Sequence, residues 1–412
     1  MEIKPILSTL MRNKTGVFVI AAQVALTLAI VANVFYIVRD RLNEANRPSG
    51  VDEDNTFMIR VGAYRPVVDP FADADRDLAA LRAIPGVIHV AEANQMPLSQ
   101  SGNNSGVSAA RNQQQISSSA AFYESGDSLI DALGLKLVAG RDFTPADVVR
   151  INAGEPGPEG PFPIIVTQAL VNKVFPGEQQ PIGKILYLGT GPNADEMRIV
   201  GVVESLTTPW GRASWGLANA GDVSMIAPFR RGTDSPLYIV RTEPGALEGA
   251  MKTAESLLVK PGNGRVLGAN RSMGELRERR YRGDRFMVGL MGTMTGLLLV
   301  VTASGILGMA SLWVNQRRKQ IGVRRALGAT RFDIVRYYLT ENFIVTGIGI
   351  VIGVGLAFAL NAVIASELGL ERLPLPNLVV GVVLLWVIGQ VAAYAPARRA
   401  SLIAPATATR SV

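Results

Sequence analysis

Four stretches of this chain carry no Asp, Glu, Lys or Arg for long enough to cross a lipid bilayer, and no other sequence feature constrains its fold as tightly. They are Gly16–Val38 (23 residues), Phe286–Val314 (29), Phe343–Ala365 (23) and Leu378–Ala395 (18). A spanning helix needs ~20 residues. The shortest stretch, at ~1.5 Å per residue, still reaches about 27 Å. Each alone would suit a buried core helix, but four together would overfill the core of a 412-residue protein. The chain is 48% hydrophobic and only 18% charged, against roughly 25% charged in ordinary soluble proteins. The reading is a membrane protein with four transmembrane helices.

Several chemistries are excluded at once. The chain has no cysteine, which removes disulfides, thiolate nucleophiles and zinc–thiolate or iron–sulfur sites. It has one histidine, His89, so no His pair can form. That histidine lies in the alternating run Val87–Ala93, where a structural strand position suits it better than a catalytic one.

The apolar run of Gly16–Val38 exceeds the roughly 7–15 residues of a signal-peptide core, and no A-x-A-like site follows it. It reads as a retained anchor. Before it, Ile3, Ile6, Leu7 and Leu10 share a helical face while Lys4, Arg12 and Lys14 supply positive charge. Residues 1–15 therefore read as an amphipathic helix on the membrane surface.

Orientation follows from the short loops. Residues 1–15, 315–342 and 396–412 hold 13 Lys/Arg and 3 Asp/Glu, whereas 366–377 hold one Arg and two Glu. Both termini and the 315–342 loop are expected in the cytoplasm, and residues 39–285 outside. Residues 42–284 carry 24 basic and 28 acidic residues, and the remainder 17 and 6. The formal +7 charge thus belongs to the cytoplasmic membrane surface, and nucleic-acid binding loses its main support.

In the outside segment, Phe57–Val61 and Val87–Ala93 read as strands flanking a helix over Ala72–Ile84. Leu237–Thr242, Ala246–Val259 and Arg265–Ala269 repeat that strand–helix–strand order. Two such units pair into a ferredoxin-like sheet, with roughly 96–232 as an inserted β-rich subdomain. Strands are expected there at Ile164–Val166, Ile185–Leu188 and Met197–Val203. Ser99–Ser119, where 14 of 21 residues are Ser, Asn or Gln, reads as a mobile loop, with a polar ligand-contact surface as the alternative. The fold class is α+β: four transmembrane helices plus a large extracytoplasmic α+β domain between the first two.

Catalytic motifs are lacking. A phosphate loop needs G-x-x-x-x-G-K-[ST]; GEQQPIGKI (Gly177–Ile185) has one residue too many and ends in isoleucine. Asp73, Asp75 and Asp77 resemble the start of a calcium loop but lack its glycine and later glutamate. They read as acids near the N-terminus of the following helix. No enzyme activity, cofactor or metal is expected. In the spans, Gln23, Asn33, Asn361 and Gln390 are expected to face neighbouring helices. Gly292 with Gly296, and Gly349 with Gly353, allow close helix packing, the second pair being expected where subunits associate.

The loop after the second stretch reads QRRKQIGVRRALGATRFDIVRYYLTEN (Gln316–Asn342). It resembles the signature of the FtsX-like permease domain of ABC systems, R-x-x-[EQ]-I-G-x-x-[KR]-A-[LI]-G-A-[ST]. The matching residues are Arg317, Gln320, Ile321, Gly322, Arg325, Ala326, Leu327, Gly328, Ala329 and Thr330. The end of the chain is similar to that family's closing motif at Pro396, Ala397, Ala400, Pro405, Ala408 and Arg410, with Ala404 and Thr409 departing from it. LGLKLVAGRDFTPAD (Leu133–Asp147), VFPGEQQPIGKILYLG (Val174–Gly189) and MRIVGVVES (Met197–Ser205) resemble the MacB-like periplasmic core domain. The Gly177–Ile185 segment is then that family's P-I-G-K turn.

The resemblance implies a bacterial inner-membrane permease with a core domain over 39–285 and an FtsX-like permease domain over 286–412. It implies a homodimer, or a heterodimer with a second permease, driven by a separate cytoplasmic ABC ATPase that binds the ATP. A periplasmic adaptor is a further partner of this type, and export or mechanotransmission the expected work. Gln320, Ile321, Gly322, Arg324, Arg325, Ala326, Leu327 and Gly328 are the expected ATPase-coupling residues. Leu327 and Ala326 would make the apolar contact, and Arg324 and Arg325 would supply charge. The alternative is a receptor whose outside domain binds a ligand or envelope protein without transport.

Overall fold

The computed structural model describes residues 10, 14–65, 67–152, 154, 155, 157, 158, 160–211, 221–368 and 373–404. The expected surface helix over 1–15 lies outside the described residues except for Leu10 and the helix start at Lys14. Pro405, Ala408, Thr409 and Arg410 of the closing motif also lie outside them. The chain divides into two units, Glu44–Gly283 and the pair of segments Met1–Asn43 and Asp284–Val412.

The first helix is α1 (Lys14–Ala45). The α+β unit follows with β1 (Thr56–Ala63), α2 (Pro70–Arg82), β2 (Val87–Ala93), β3 (Asn104–Ser108) and β4 (Ser118–Glu124). Next come α3 (Leu129–Leu133), β5 (Leu137–Gly140), β6 (Val149–Ile151), β7 (Phe162–Thr167), α4 (Gln168–Val174), β8 (Ile185–Leu188) and β9 (Asp195–Val203). The unit continues through β10 (Ser224–Ala227), β11 (Phe229–Arg231), β12 (Leu237–Thr242), α5 (Leu247–Leu258) and β13 (Arg265–Ser272). The remaining helices are α6 (Met273–Gln316), α7 (Arg318–Ala326), α8 (Arg331–Leu368) and α9 (Leu375–Ser401).

The two strand–helix–strand units form one antiparallel four-stranded sheet in the order β13-β1-β12-β2, the ferredoxin-like arrangement. One face buries Phe57, Ile59, Val61, Tyr238 and Val240 against Leu78 and Leu81 of α2 and Ala250 and Ala254 of α5. Fully burying each large aliphatic side chain contributes ~1.5–3 kcal/mol. Asp69 caps α2 by accepting from Phe71 N and Ala72 N, both at 3.0 Å, ahead of Pro70 in the first turn. Of the three aspartates, only Asp73 sits in that first turn. Asp77 is buried farther along, accepting from Arg265 at 2.6 Å and from Tyr238 Oη at 2.8 Å. Burial, with Asp77 beside it, pushes the Tyr238 phenol upward.

The opposite face of the sheet packs Met58, Ala91, Ala93 and Ile239 against Tyr123, Leu129, Leu133, Ile165 and Ile226 of the insert. The insert itself is a seven-stranded mixed sheet, β5-β9-β7-β10-β4-β3-β8, and the β8–β9 pairing closes six of its strands on themselves. Closure leaves those six strands no free edge. The expected loop over Ser99–Ser119 is in part a strand. β3 pairs with both β4 and β8, Val107 is fully buried, and Ser108 Oγ donates to Gly189 O at 2.7 Å. Small polar side chains fit the tight β3–β4 ribbon but conceal its two-residue period. The Gly177–Ile185 segment is a turn and strand entry after α4, where Lys184 pairs with Glu178 and lies over Phe175.

Among the described residues, α1, α6, α8 and α9 are the helices long and apolar enough to cross a membrane. α1 is the most enclosed. Ile20, Val24 and Leu28 pack with Ile306 of α6, Val345 and Ile350 of α8, and Leu385 of α9. Polar contacts join the same helices. Gln23 Nε2 donates to Val301 O at 3.2 Å, Thr27 and Thr302 hydroxyls meet at 2.9 Å, and Asn33 Nδ2 donates to Ala357 O at 3.0 Å. Asn361 Oδ1 accepts from Leu373 N at 2.9 Å, whereas Gln390 Nε2 is buried with no partner among the described residues.

Candidate functional site

The segment expected to meet an ATPase is built around a break in helical geometry. α6 ends at Gln316, Arg317 leaves helical dihedrals at φ −107° and ψ 18°, and α7 starts at Arg318. The Arg317 guanidinium turns inward and donates to both oxygens of Glu341 on α8, at 2.8 and 2.9 Å. Glu341 is 1% exposed and the Arg317 side chain 9%. Trp313 lies beside the guanidinium, with its ring centroid 5.8 Å away.

α7 ends where only glycine is comfortable. Leu327 is its C-cap, and Gly328 adopts φ +100°, in the left-handed half of the map that side chains resist. Gly328 N donates to Arg325 O at 3.2 Å and Ala329 N to Arg324 O at 3.1 Å, satisfying terminal carbonyls. α8 then begins with a reciprocal cap, Asp333 N to Thr330 Oγ1 at 3.2 Å and Thr330 N to Asp333 Oδ2 at 2.9 Å.

Helical spacing separates the eight expected residues into two sets. Ile321 and Gly322 are buried; Ile321 packs with Val314, Ile334, Tyr338, Ala397 and Ala400. Arg325 also turns inward. Its Nη1 donates to Ser401 O and Ile403 O, both at 2.9 Å, at the C-terminal end of α9. A cation there meets the negative end of the helix dipole, so Arg325 is engaged within its own chain rather than held out as a free charge. Arg324 lies over Tyr337 at 4.6 Å. Gln320, Ala326, Leu327 and Gly328 are exposed. Val323 and Leu327, four residues apart on one face, are 52% and 84% exposed.

The expected packing glycines also divide. A Cβ on Gly349 would meet Ala21 O and Val24 Cβ at 2.8 Å, and one on Gly353 would meet Ala25 O at 3.0 Å. Both glycines face α1 of the same chain. Gly292 and Gly296 on α6 have open space on the Cβ side.

Two arrangements escaped sequence reasoning. The Arg317–Glu341 pair joins groups 24 residues apart; a single acid beside an otherwise apolar span is the signal that would have found it. In the α+β unit, Arg277 at the start of α6 grips the end of α1. It donates to Ala45 O at 2.7 Å, to Arg47 O at 2.9 Å and from Nε to Glu53 at 2.6 Å. Within the helical unit, Arg41 of α1 pairs with Asp284 of α6.

Residues 16–256 match the MacB-like periplasmic core domain, and residues 292–405 the FtsX-like permease C-terminal model. The chain is 25% identical over 292 residues to the uncharacterized ABC transporter permease YknZ of Bacillus subtilis, covering 69% of this chain and 68% of that one. It is 26% identical over 246 residues to the macrolide export ATP-binding/permease protein MacB of Rhodospirillum rubrum. That match covers 59% of this chain but 37% of the relative's length. A pyoverdine export ATP-binding/permease protein, PvdT of Pseudomonas fluorescens, is 23% identical over 249 residues, covering 60% of this chain and 37% of its own length. With more than half of its residues in one family model and its C-terminal helices in the other, the chain belongs to the ABC transporter permeases of the FtsX-like, MacB-like family.

Proposed function

We propose that the chain is the permease subunit of an ABC transporter in which a separate cytoplasmic ATPase docks on α7 and drives movement of the α+β unit. The observation that carries this is the two-sidedness of α7. Ile321 and Arg325 fasten it to α8 and α9, while Val323 and Leu327 face outward uncovered. A helix fixed on one face and presenting Val323 and Leu327 among Lys319, Gln320 and Arg324 on the other can take force from a partner and pass it to the spans. The four uncharged stretches contain no acid or base, which favours mechanical transmission over a polar conduit. α1 and α6 each continue without a break from an uncharged stretch into residues of the α+β unit, a suitable linkage for motion. The working form is a dimer of this chain, or a pair with a second permease, in a bacterial inner membrane, with an adaptor outside.

The orientation underlying this reading has its own test. Both termini and α7 are cytoplasmic and residues 42–284 are outside, so reporter fusions at Ser235 and Arg331 will report opposite compartments. Finding both in one compartment rules out the four-span topology.

Docking is tested by Leu327→Asp and Gly328→Val at unchanged membrane levels. Burying one leucine is worth ~1.5–3 kcal/mol, so ATPase recovery with Leu327→Asp will fall by about tenfold or more. An exposed-charge control such as Lys319→Ala removes only ~0–1 kcal/mol. Full ATPase recovery and full transport in both variants would leave α7 as a topology signal and nothing more.

A further inference from the structure

A cleft of about 740 Å³ opens within the α+β unit. Its volume falls in the range of ligand pockets, roughly 300–1,000 Å³, but the side chains around it are mostly polar. One wall is the ferredoxin-like sheet, where Arg60 of β1 stands opposite Leu237 of β12. Facing it are Asn103, Asn104 and Ser105 at the entry to β3. Arg230 and Arg231 of β11 also line it, with Glu92 and Glu124.

The charged side chains lining the cleft are three arginines, Arg60, Arg230 and Arg231, against two glutamates, Glu92 and Glu124. Arg231 forks onto Glu124, Nε to Oε2 at 2.8 Å and Nη2 to Oε1 at 3.0 Å. Arg230 pairs with Glu92 at 3.1 Å and with Asp75 at 2.6 Å. The acids at the cleft therefore already have cations. Arg60 is half-buried and has neither a hydrogen bond nor an ion pair to any described side chain. Arg230, only 9% exposed, also keeps its Nη2 without a hydrogen-bond partner among the described residues. A guanidinium in a partly buried cleft pairs with an anion under less screening than one on an open surface, so Arg60 is the group an anionic ligand would meet first.

The guanidinium fork matches a carboxylate in two parallel hydrogen bonds. The nearby Glu92 and Glu124 weigh against a dianion and select a single negative charge. Asn103, Asn104 and Ser105 offer amide and hydroxyl groups that both donate and accept, which suits a ligand rich in amides or hydroxyls. We propose that this cleft binds a small polar ligand carrying one carboxylate, held by Arg60, with Asn103–Ser105 bonding its remainder. A short peptide with a free C-terminus and a sugar acid share this chemistry. The proposal does not depend on ATPase docking, because binding is measured on the chain alone.

The test is calorimetry on the full chain in detergent micelles, with two probes and their uncharged counterparts. The peptide arm uses N-acetyl-glycylglycine against its amide; the sugar arm uses glucuronic acid against glucose. At least one acid will bind at millimolar concentration while its neutral counterpart does not, and the arm that binds identifies the source. Arg60→Gln will weaken that binding about tenfold or more. Ser105→Trp, which fills the cleft, will abolish it. Absence of binding by both acids overturns the proposal. So does equal binding by acid and neutral probe, or unchanged affinity in Arg60→Gln or in Ser105→Trp.

Discussion

Glu341→Ala will destabilise the helical unit by about 3–5 kcal/mol, the loss expected when one member of a buried ion pair is removed. Both oxygens of Glu341 accept from the Arg317 Nη1 at 2.8 and 2.9 Å, and Glu341 is almost fully enclosed. Removing it strands a guanidinium whose Nη2 already has no hydrogen-bond partner among the described residues. The double variant Arg317→Met with Glu341→Leu removes both charges and will recover most of the loss, because matched apolar replacements of buried pairs are often neutral or better. Thermal denaturation in detergent, followed by tryptophan fluorescence, measures both. A Glu341→Ala loss below about 1 kcal/mol would mean that water reaches Arg317 and that the pair is an ordinary surface contact. The pair joins the α6–α7 break to α8. Its loss is therefore expected to uncouple transport even at temperatures where the variant remains folded.

Gly353→Leu is expected to cost about 3 kcal/mol, the upper end of overpacking effects. A Cβ there would lie 3.0 Å from Ala25 Cα and Ala25 O. Backbone atoms of a packed helix cannot rotate aside as a side-chain tip can. Gly349→Leu meets Ala21 O and Val24 Cβ at 2.8 Å and should behave in the same way. Gly292→Leu and Gly296→Leu meet nothing and will leave unfolding of the single chain unchanged. If unfolding temperatures in detergent were equal for Gly353→Leu and Gly292→Leu, the packing of α8 on α1 described above would be wrong.

Much of this architecture is legible in the sequence because each element reports itself locally. An uncharged run of ~20 residues has few other uses, so the four spans stand out. The ferredoxin-like sheet is visible because Phe57, Ile59 and Val61, or Tyr238 and Val240, alternate on one buried face. Helix ends are less legible. α1 runs to Ala45 and α6 starts at Met273, since charges need only leave the lipid, not the helix. β3 was hidden because Gly106, Ser105 and Ser108 carry no apolar alternation.

In α7 and its C-cap, the exposed pair Val323 and Leu327 and the inward pair Ile321 and Arg325 both follow from four-residue spacing. The carbonyls that Arg325 meets do not, because Ser401 and Ile403 lie more than seventy residues on. The same limit hides the Arg317–Glu341 pair and the cleft around Arg60. No local periodicity states which distant charges meet.

The proposed contact of the ATPase with the outward face of α7 can be tested directly. The chain has no cysteine, so Leu327→Cys introduces a single reactive thiol at a position 84% exposed. With the ATPase and permease co-expressed, a short thiol-to-amine cross-linker applied to inside-out membrane vesicles should join Leu327→Cys to the ATPase. Ser235→Cys, proposed above to lie on the other side of the membrane, should give no such product. A product from both positions, or from Ser235→Cys alone, would contradict the account. So would the absence of a product from Leu327→Cys in vesicles where the ATPase is shown to be bound.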